Sequence, residues 1–257
     1  MKSISAVAFS ALLILTMICA ATADPGPPGP AAILERLDLS DSQRAKLRDV
    51  LRSSGQVSDR TRQALVDERQ RLRRLYDDYD LNMSRARDSI ARVNKLQRDL
   101  LDNSLERQIR LRDVLAPRQF VQLNRVIGPE SPVIERMDAE RGGPSPDRLP
   151  QLSLDPDQQS AIEKMWQSRK NQSGDVYRDM RRDLQAIGRL YDNHRLDEGK
   201  ARRLIGGVNK LQLQILQARL ERQLKLRKIL NEQQFRILTE HVRRSSIPPF
   251  ARGPRRR

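Results

Sequence analysis

The sequence predicts an all-α protein, and three observations lead to that prediction. First, residues 31–116 and 157–247 contain no proline, although the chain has 14. Leucine, arginine, glutamine and glutamate are abundant in both stretches, and helix interiors favour these residues whereas proline interrupts them. Second, apolar residues recur at spacings of three and four, which is the pattern of an amphipathic helix, and no run alternates as a half-buried strand would.

The third observation is a tandem repeat with an offset of 115 residues. The pentapeptide VNKLQ occupies residues 93–97 and occurs again at 208–212. Residues 37–123 and 152–238 align without a gap and share about 30 identities. Self-similarity at a fixed offset indicates that one structural unit occurs twice. We therefore expect two equivalent helical units.

Each unit is predicted to contain four helices: a short helix, a second helix, a long helix and a short closing helix. The second helix is expected at about residues 60–77 and 176–192. Breaks follow at residues 80–82 and 195–197, where Asn82 and Asp197 are candidate N-caps. The long helix then carries an apolar stripe. Its members are Ile90, Val93, Leu96, Leu100, Leu101 and Leu105, and Ile205, Val208, Leu211, Ile215, Leu216 and Leu220.

Two features of the long helix need a specific explanation. Asn94 and Asn209 lie between apolar positions, and asparagine is a poor helix former. Its presence in both copies predicts a buried hydrogen bond or a contact that sets the register of packing. Gly206 and Gly207 replace Ala91 and Arg92 of the first unit, so we expect a close contact or a bend there.

The segments outside the two units differ from them in composition. Residues 1–23 combine Lys2, an apolar run and a small-residue cleavage site, which is typical of a secretory signal peptide. Residues 24–32 are a proline-rich leader, residues 128–146 a Pro/Gly linker, and residues 244–257 an Arg/Pro-rich tail. The helical units are thus expected at residues 33–127 and 147–243. Signal cleavage removes the single cysteine, Cys19, so we expect a periplasmic chain without disulfides.

The formal net charge is +16. For an exported protein, we expect the acidic partner to be an unfolded protein or an anionic envelope surface rather than nucleic acid. Cations that match in both units are candidate binding residues for such a protein, although an ordinary solvated helix surface gives the same pattern. These candidates are Arg74, Arg85, Arg87, Lys95, Arg107 and Arg110, with Arg189, Lys200, Arg202, Lys210, Arg222 and Lys225; Arg112 and Arg227 also match.

Four five-residue stretches, each at a predicted helix start, begin with leucine and end with glutamine. In three of them the second residue can cap the helix while the glutamine reaches back, which is a capping box. Ala116 cannot cap, so that copy keeps only Pro117 and its glutamine. Phe120 and Phe235 follow at the spacing of a hydrophobic staple. The motif residues are Leu39, Ser40, Gln43, Leu115, Gln119, Leu154, Asp155, Gln158, Leu230, Asn231 and Gln234.

These motifs, at both ends of a basic, exported helical unit, resemble the L-T-x-x-Q motifs of the Spy/CpxP family. The resemblance covers about residues 33–127 and 147–242, with the family's threonine replaced by Ser40, Ala116, Asp155 and Asn231. It implies a curved four-helix protomer that pairs into a cradle. It also implies ATP-independent chaperoning of unfolded envelope proteins, or control of envelope-stress signalling. Because this chain carries two units, we expect an intramolecular pseudo-dimer.

The sequence leaves other functions open. A periplasmic metal-responsive sensor or metal-binding resistance protein would need clustered ligands, whereas His194 and His241 are 47 residues apart. We expect no metal site, no cofactor and no enzyme activity, because the sequence lacks a phosphate-binding loop and a catalytic-triad pattern. A regulator that docks on the periplasmic domain of a sensor kinase is a further alternative. The tail is expected either to solubilise the chain or to contact an anionic membrane surface.

Overall fold

The computed structural model describes residues 37–127 and 152–245, and every regular element in these ranges is an α-helix. In the first half (residues 37–127), α1 spans Asp41–Asp77, α2 Met83–Val114 and α3 Pro117–Ile127. In the second half (residues 152–245), α4 spans Pro156–Tyr191, α5 Glu198–Ile229 and α6 Glu232–Ser245. The all-α prediction is therefore confirmed. The expected signal peptide, leader and linker, and the tail beyond residue 245, lie outside the described residues.

The helices of the two halves begin at corresponding positions. Helices α4, α5 and α6 start at residues 156, 198 and 232, each 115 positions after residues 41, 83 and 117, where α1, α2 and α3 start. The predicted N-caps are present, because the Asn82 side chain accepts from the Arg85 amide and the Asp197 side chain from the Lys200 amide. The capping residues in the sequence therefore predict the starts of these helices correctly.

The number of helices differs from the prediction, because each half has three described helices rather than four. The expected first and second helices are one continuous helix, 37 residues long in α1 and 36 in α4. Helix α1 continues through Ser54 and Ser58, which are buried. The Asn103 amide of α2 donates to the Ser58 hydroxyl at 2.8 Å and to the Ser54 carbonyl at 3.0 Å. The intervening Gly55 costs a helix only about 1 kcal/mol.

The two halves share their hydrophobic cores. Within each half, α1 packs on α2 and α4 packs on α5, and the long helices α2 and α5 also pack on each other. Leu220 of α5 belongs to the first-half cluster that contains Leu72. Reciprocally, Leu105 of α2 belongs to the second-half cluster that contains Leu184. Because burying a leucine stabilises a fold by about 1.5–3 kcal/mol, each half depends on the other for part of its stability.

The repeated pentapeptide lies at the centre of this shared contact. Gln97 is midway along α2 between Ile90, which is in the first-half cluster, and Leu105, which is in the second-half cluster. Gln212 occupies the equivalent place in α5. VNKLQ therefore marks the segment where each long helix passes from its own core into that of the other half.

The two asparagines of this segment do not form the expected buried hydrogen bond through their side-chain oxygens. Oδ1 of Asn94 and Oδ1 of Asn209 are both buried, and neither accepts a hydrogen bond from any described residue. Helix α5 is also continuous through Gly206 and Gly207. A Cβ at Gly207 would lie 3.2 Å from Asp183 Oδ2, whereas one at Gly206 would meet nothing within 4 Å. The close-contact interpretation therefore holds for Gly207 alone.

Candidate functional site

Each half has two of the five-residue motifs that begin with leucine and end with glutamine. The two motifs contact each other where the first helix starts and the long helix ends. In the first half, Gln43 Nε2 donates to the Val114 carbonyl and to Gln119 Oε1, both at 3.0 Å. In the second half, Gln158 Nε2 donates to the Ile229 carbonyl at 2.8 Å and to Gln234 Oε1 at 3.0 Å. The motifs therefore join the first helix of each half to the end of its long helix.

A residue with positive φ precedes the first helix of each half. Asp38 has φ 48° and Ser153 has φ 46°, a left-handed conformation that is uncommon for residues other than glycine. The Asp38 carbonyl accepts from Gln119 Nε2 at 3.1 Å, and the Ser153 carbonyl accepts from Gln234 Nε2 at 3.4 Å. Each closing motif thus binds the backbone that leads into the opening motif, a contact that the sequence pattern did not reveal.

The same motifs cap their helices as predicted. Ser40 and Asp155 each form a complete capping box with the glutamine three residues later. Asn231 does so as well, because its Oδ1 accepts from the Gln234 amide at 2.9 Å and Gln234 Oε1 accepts from the Asn231 amide at 3.1 Å. Ala116 keeps half of the arrangement, since its amide donates to the Gln119 side chain at 2.9 Å. The contacts of the motif residues are those of helix starts and helix packing.

In each half, an arginine donates hydrogen bonds to the connection between the first two helices of the other half. Arg112, near the end of α2, donates from Nη2 to the carbonyls of Tyr191 at 3.0 Å and Asn193 at 2.6 Å, and from Nε to that of His194 at 3.0 Å. Its guanidinium lies 4.2 Å from the ring centroid of Phe120. Carbonyls at a helix C-terminus lack intrahelical partners and favour a nearby positive charge, so this contact completes the end of α4.

Arg227, at the equivalent place in α5, makes the reciprocal contact. It donates from Nε to the Tyr79 carbonyl at 2.8 Å and from Nη2 to the carbonyls of Tyr76, at 2.9 Å, and Asp78. Its guanidinium lies 4.3 Å from the Phe235 ring centroid. We call these two contacts the arginine junctions. The two contacts are thus reciprocal between the halves.

Burial lowers the pKa of both arginines. It lowers the pKa of Arg112 to about 10, with Tyr191 acting in the opposite direction. Burial likewise lowers the pKa of Arg227, against the opposing influence of Asp78 and neighbouring acidic groups. With a pKa of about 10, Arg112 keeps its positive charge at neutral pH.

His194 belongs to an arginine junction. Its Nε2 lies 3.1 Å from the Leu115 carbonyl oxygen, and its ring meets Phe120 edge-on with centroids 5.6 Å apart. The equivalent residue, Tyr79, donates its hydroxyl to the Leu230 carbonyl at 3.1 Å and meets Phe235 in the same way. His194 thus occupies a packing position that a tyrosine fills in the other half. Within residues 37–127 and 152–245, no group of three or more His, Cys, Asp or Glu could hold a metal ion.

The twelve candidate cations do not form one face. Arg107 and Arg222 are half-buried and the other ten are exposed. Arg85 and Arg87 are two residues apart on α2, so their side chains project about 200° apart around the helix. The structure therefore distributes the predicted binding residues around the helices.

Some of these cations are paired with carboxylates of the same helix. Lys95 contacts Asp99 at 2.7 Å, Arg110 contacts Glu106 at 3.0 Å, and Arg202 contacts Glu198 at 3.6 Å. No analogous ion pair forms between Glu221 and Lys225. Lys225 makes no ion pair with any described residue and instead lines a groove between α4 and α5.

That groove contains two cations that the sequence comparison missed. Lys164, Lys225 and Lys228 line an open groove of about 410 Å³ together with Ala161, Met165, Ser168 and Ile229. Lys164 and Lys228 were missed because their first-half equivalents are Asp49 and Asp113, and the prediction kept only positions that are basic in both units. Positions where the two units differ in charge would have identified them.

A second missed feature is a buried carboxylate in the first half. Glu68 of α1 accepts from the Ser89 hydroxyl at 2.5 Å and contacts Arg92 and Arg71, each at 3.1 Å. Burial on its own raises the pKa of Glu68, but the hydrogen bonds from Ser89 and Arg92 and the two positive charges outweigh it, so the pKa is lowered. The second half lacks this network, because Leu204 and Gly207 replace Ser89 and Arg92.

No helix among the described residues has both the length and the apolar character needed to cross a membrane. Comparison of the chain with protein-family models, with curated proteins and with solved structures found no match. The functional conclusion therefore depends on the residues and contacts described above.

Proposed function

We propose that this chain is an ATP-independent periplasmic chaperone that binds unfolded or misfolded envelope proteins. In this proposal its two units are a tandem duplication of a Spy/CpxP-like protomer and form an intramolecular pseudo-dimer. The observation that carries the proposal is the pair of arginine junctions, in which Arg112 and Arg227 make equivalent contacts across the two halves. Reciprocal contacts of this kind are what two protomers of a symmetric dimer would make.

The charge of the exposed surface supports the same function. The chain carries a formal net charge of +16, and ten of the twelve matched cations are exposed. A surface of this kind attracts acidic segments before specific contacts form, and it does so without a deep pocket. Unfolded proteins differ in sequence, so distributed contacts suit them better than a shaped cavity does.

The test is suppression of aggregation by the purified mature protein. A denatured substrate is diluted into buffer and light scattering is followed at low and high salt, with and without chelator. We expect suppression without nucleotide or metal, and weaker suppression at high salt, because ions screen exposed charges beyond about 10 Å at 0.1 M. Suppression that requires added metal would instead favour the metal-responsive alternative, and no suppression at all would refute the chaperone function.

Export and assembly are tested separately. We expect the periplasmic form to begin after Ala23, which mass spectrometry of the purified protein would show. We also expect light scattering after gel filtration to give the mass of a single chain. A stable dimer of full-length chains would contradict the pseudo-dimer within one polypeptide.

A further inference from the structure

We propose that the groove between α4 and α5, lined by Lys164, Lys225 and Lys228, is a binding site for acidic amphipathic segments of protein clients. We call it the lysine groove. The inference deepens the proposed chaperone function and rests on it, since it assigns one local site and one chemical class of segment. It predicts that the two halves are unequal in binding although their helices correspond.

The chemistry of the lysine groove has two components. Ala161, Met165 and Ile229 provide an apolar surface, and methionine adapts to differently shaped apolar side chains. Lys164, Lys225 and Lys228 line the same groove, and none of them forms an ion pair with a described residue. Lysine stems can cover apolar surface while their charged ends remain in water. An apolar side chain flanked by aspartate or glutamate satisfies both components at once.

The first half provides an internal comparison. The positions equivalent to Lys164 and Lys228 are Asp49 and Asp113, and the position equivalent to Lys225 is Arg110. Arg110 contacts Glu106 at 3.0 Å, whereas Lys225 does not pair with Glu221. Lys46 stands in place of Ala161, so the equivalent positions of the first half carry two acids and two bases. The positive charge of the groove is therefore not a requirement of the helical fold.

A protein segment is a better occupant than a lipid surface. Insertion into a membrane needs a continuous exposed apolar face. In the described part of the chain, the exposed large apolar side chains are Val57, Val121 and Ile237, which lie on three different helices. A groove of about 410 Å³ is in the size range of sites that bind small ligands or a few side chains.

The experiment uses the full mature chain and a dye-labelled peptide that alternates leucine with glutamate. Fluorescence anisotropy gives its affinity for the wild type and for the Lys164→Asp, Lys228→Asp variant, which carries the residues of the first half. We expect binding to weaken by about tenfold or more, because two attractive contacts become repulsive. The reciprocal Asp49→Lys, Asp113→Lys variant should bind the peptide more tightly than the wild type does.

A matched control separates the groove from the overall charge. Arg48→Asp with Arg52→Asp changes the net charge equally at two exposed positions of α1, and we expect it to weaken binding less than threefold. Equal losses in the two variants would overturn the lysine groove. Binding of vesicles containing phosphatidylglycerol through the lysines, without binding of the peptide, would also overturn it. Circular dichroism shows whether each variant is folded.

The outcomes distinguish this inference from the proposed function. If the wild type suppresses aggregation and the Lys164→Asp, Lys228→Asp variant binds the peptide as tightly, the chaperone function stands and the lysine groove is refuted. If the wild type binds the peptide through the lysines but does not suppress aggregation, the groove stands as a peptide site and the chaperone function is refuted.

Discussion

Arg112 and Arg227 show how a single side chain can replace missing backbone partners. Each guanidinium donates to several carbonyls at a helix end of the other half and stacks on a phenylalanine of its own half. Because a hydrogen bond to a charged group contributes about 1.5–3 kcal/mol, these arginines stabilise the fold more than a surface ion pair does. Their matched charge in the sequence gave no indication of this role.

We predict that Arg112→Ala lowers the free energy of unfolding by about 1.5–3 kcal/mol, since it removes charged hydrogen bonds to the partly buried carbonyls of Tyr191 and His194. Arg227→Ala should have a similar effect because its contacts are equivalent. Urea denaturation followed by circular dichroism measures both. The control is Arg110→Ala, an exposed residue paired with Glu106, for which a loss of about 0.5 kcal/mol is expected. Equal losses in Arg112→Ala and Arg110→Ala would contradict the structural role.

Glu68 predicts a specific dependence of stability on pH. Its folded pKa is lowered, so its contribution to stability is complete above the pKa of the unfolded chain, about 4.3, and is lost as the pH falls through the folded pKa. Glu68→Gln should therefore destabilise the protein by about 1–2 kcal/mol at pH 7 and by progressively less in acid. Urea denaturation of both proteins from pH 7 to pH 3 measures this difference.

Asp183→Asn is the matched control for Glu68→Gln. Asp183 is the equivalent residue of the second half, and its carboxylate contacts the neighbouring exposed Arg182 at 3.5 Å. We expect a smaller loss of stability at pH 7 and a weaker dependence on pH. A Glu68→Gln variant that loses the same stability at every pH would show that the carboxylate charge is not what stabilises the network.

At the scale of the element, the starts of the helices were predictable and their number was not. Capping residues such as Asn82 and Asp197 act locally, so a few letters identify them. Within α1, the Ser54 carbonyl instead accepts from Asn103 of α2, which lies 49 positions away in the sequence. Contacts at such separations leave no local pattern, so the sequence predicts a second helix that begins only at about residue 60.

The two adjacent glycines of α5 allow a paired prediction. Gly206→Ala should stabilise the protein by about 0.5–1 kcal/mol, because the new Cβ meets nothing within 4 Å and alanine favours the helix. Gly207→Ala should stabilise it less or destabilise it, because its Cβ would lie 3.2 Å from Asp183 Oδ2. Thermal denaturation compares the two. A larger gain for Gly207→Ala than for Gly206→Ala would show that the Asp183 contact is unimportant.

At the scale of the whole molecule, the sequence predicted corresponding helices in the two halves but not how the halves meet. The offset of 115 residues predicted equivalent helices, and their starts correspond. The exchange of Leu105 and Leu220 between cores could not be deduced, because a buried leucine has the same pattern whichever half it contacts. Likewise, the requirement that a position be basic in both units selected cations that are dispersed over the helices. The same requirement excluded Lys164 and Lys228.

The shared cores predict the behaviour of a single half. A chain of residues 33–127 alone leaves the apolar surface around Leu105 uncovered and has no partner for Arg112. We expect it to form a homodimer by repeating the same reciprocal contacts, with a mass that falls towards that of the monomer on dilution. Sedimentation equilibrium measures this. The Arg112→Ala version of the half should dimerise more weakly, and a well-folded monomeric half would contradict the shared-core interpretation.

Placing both partners of the arginine junctions on one polypeptide has a consequence for how the protein can change. Covalent connection keeps the partners at a high local concentration, so association survives dilution that would separate two free subunits. A substitution also occurs once in a fused pair but twice in a homodimer. One half of this molecule can therefore carry Lys164 and Lys228 while the other carries Asp49 and Asp113 at the corresponding positions, and the two halves need not bind the same partners.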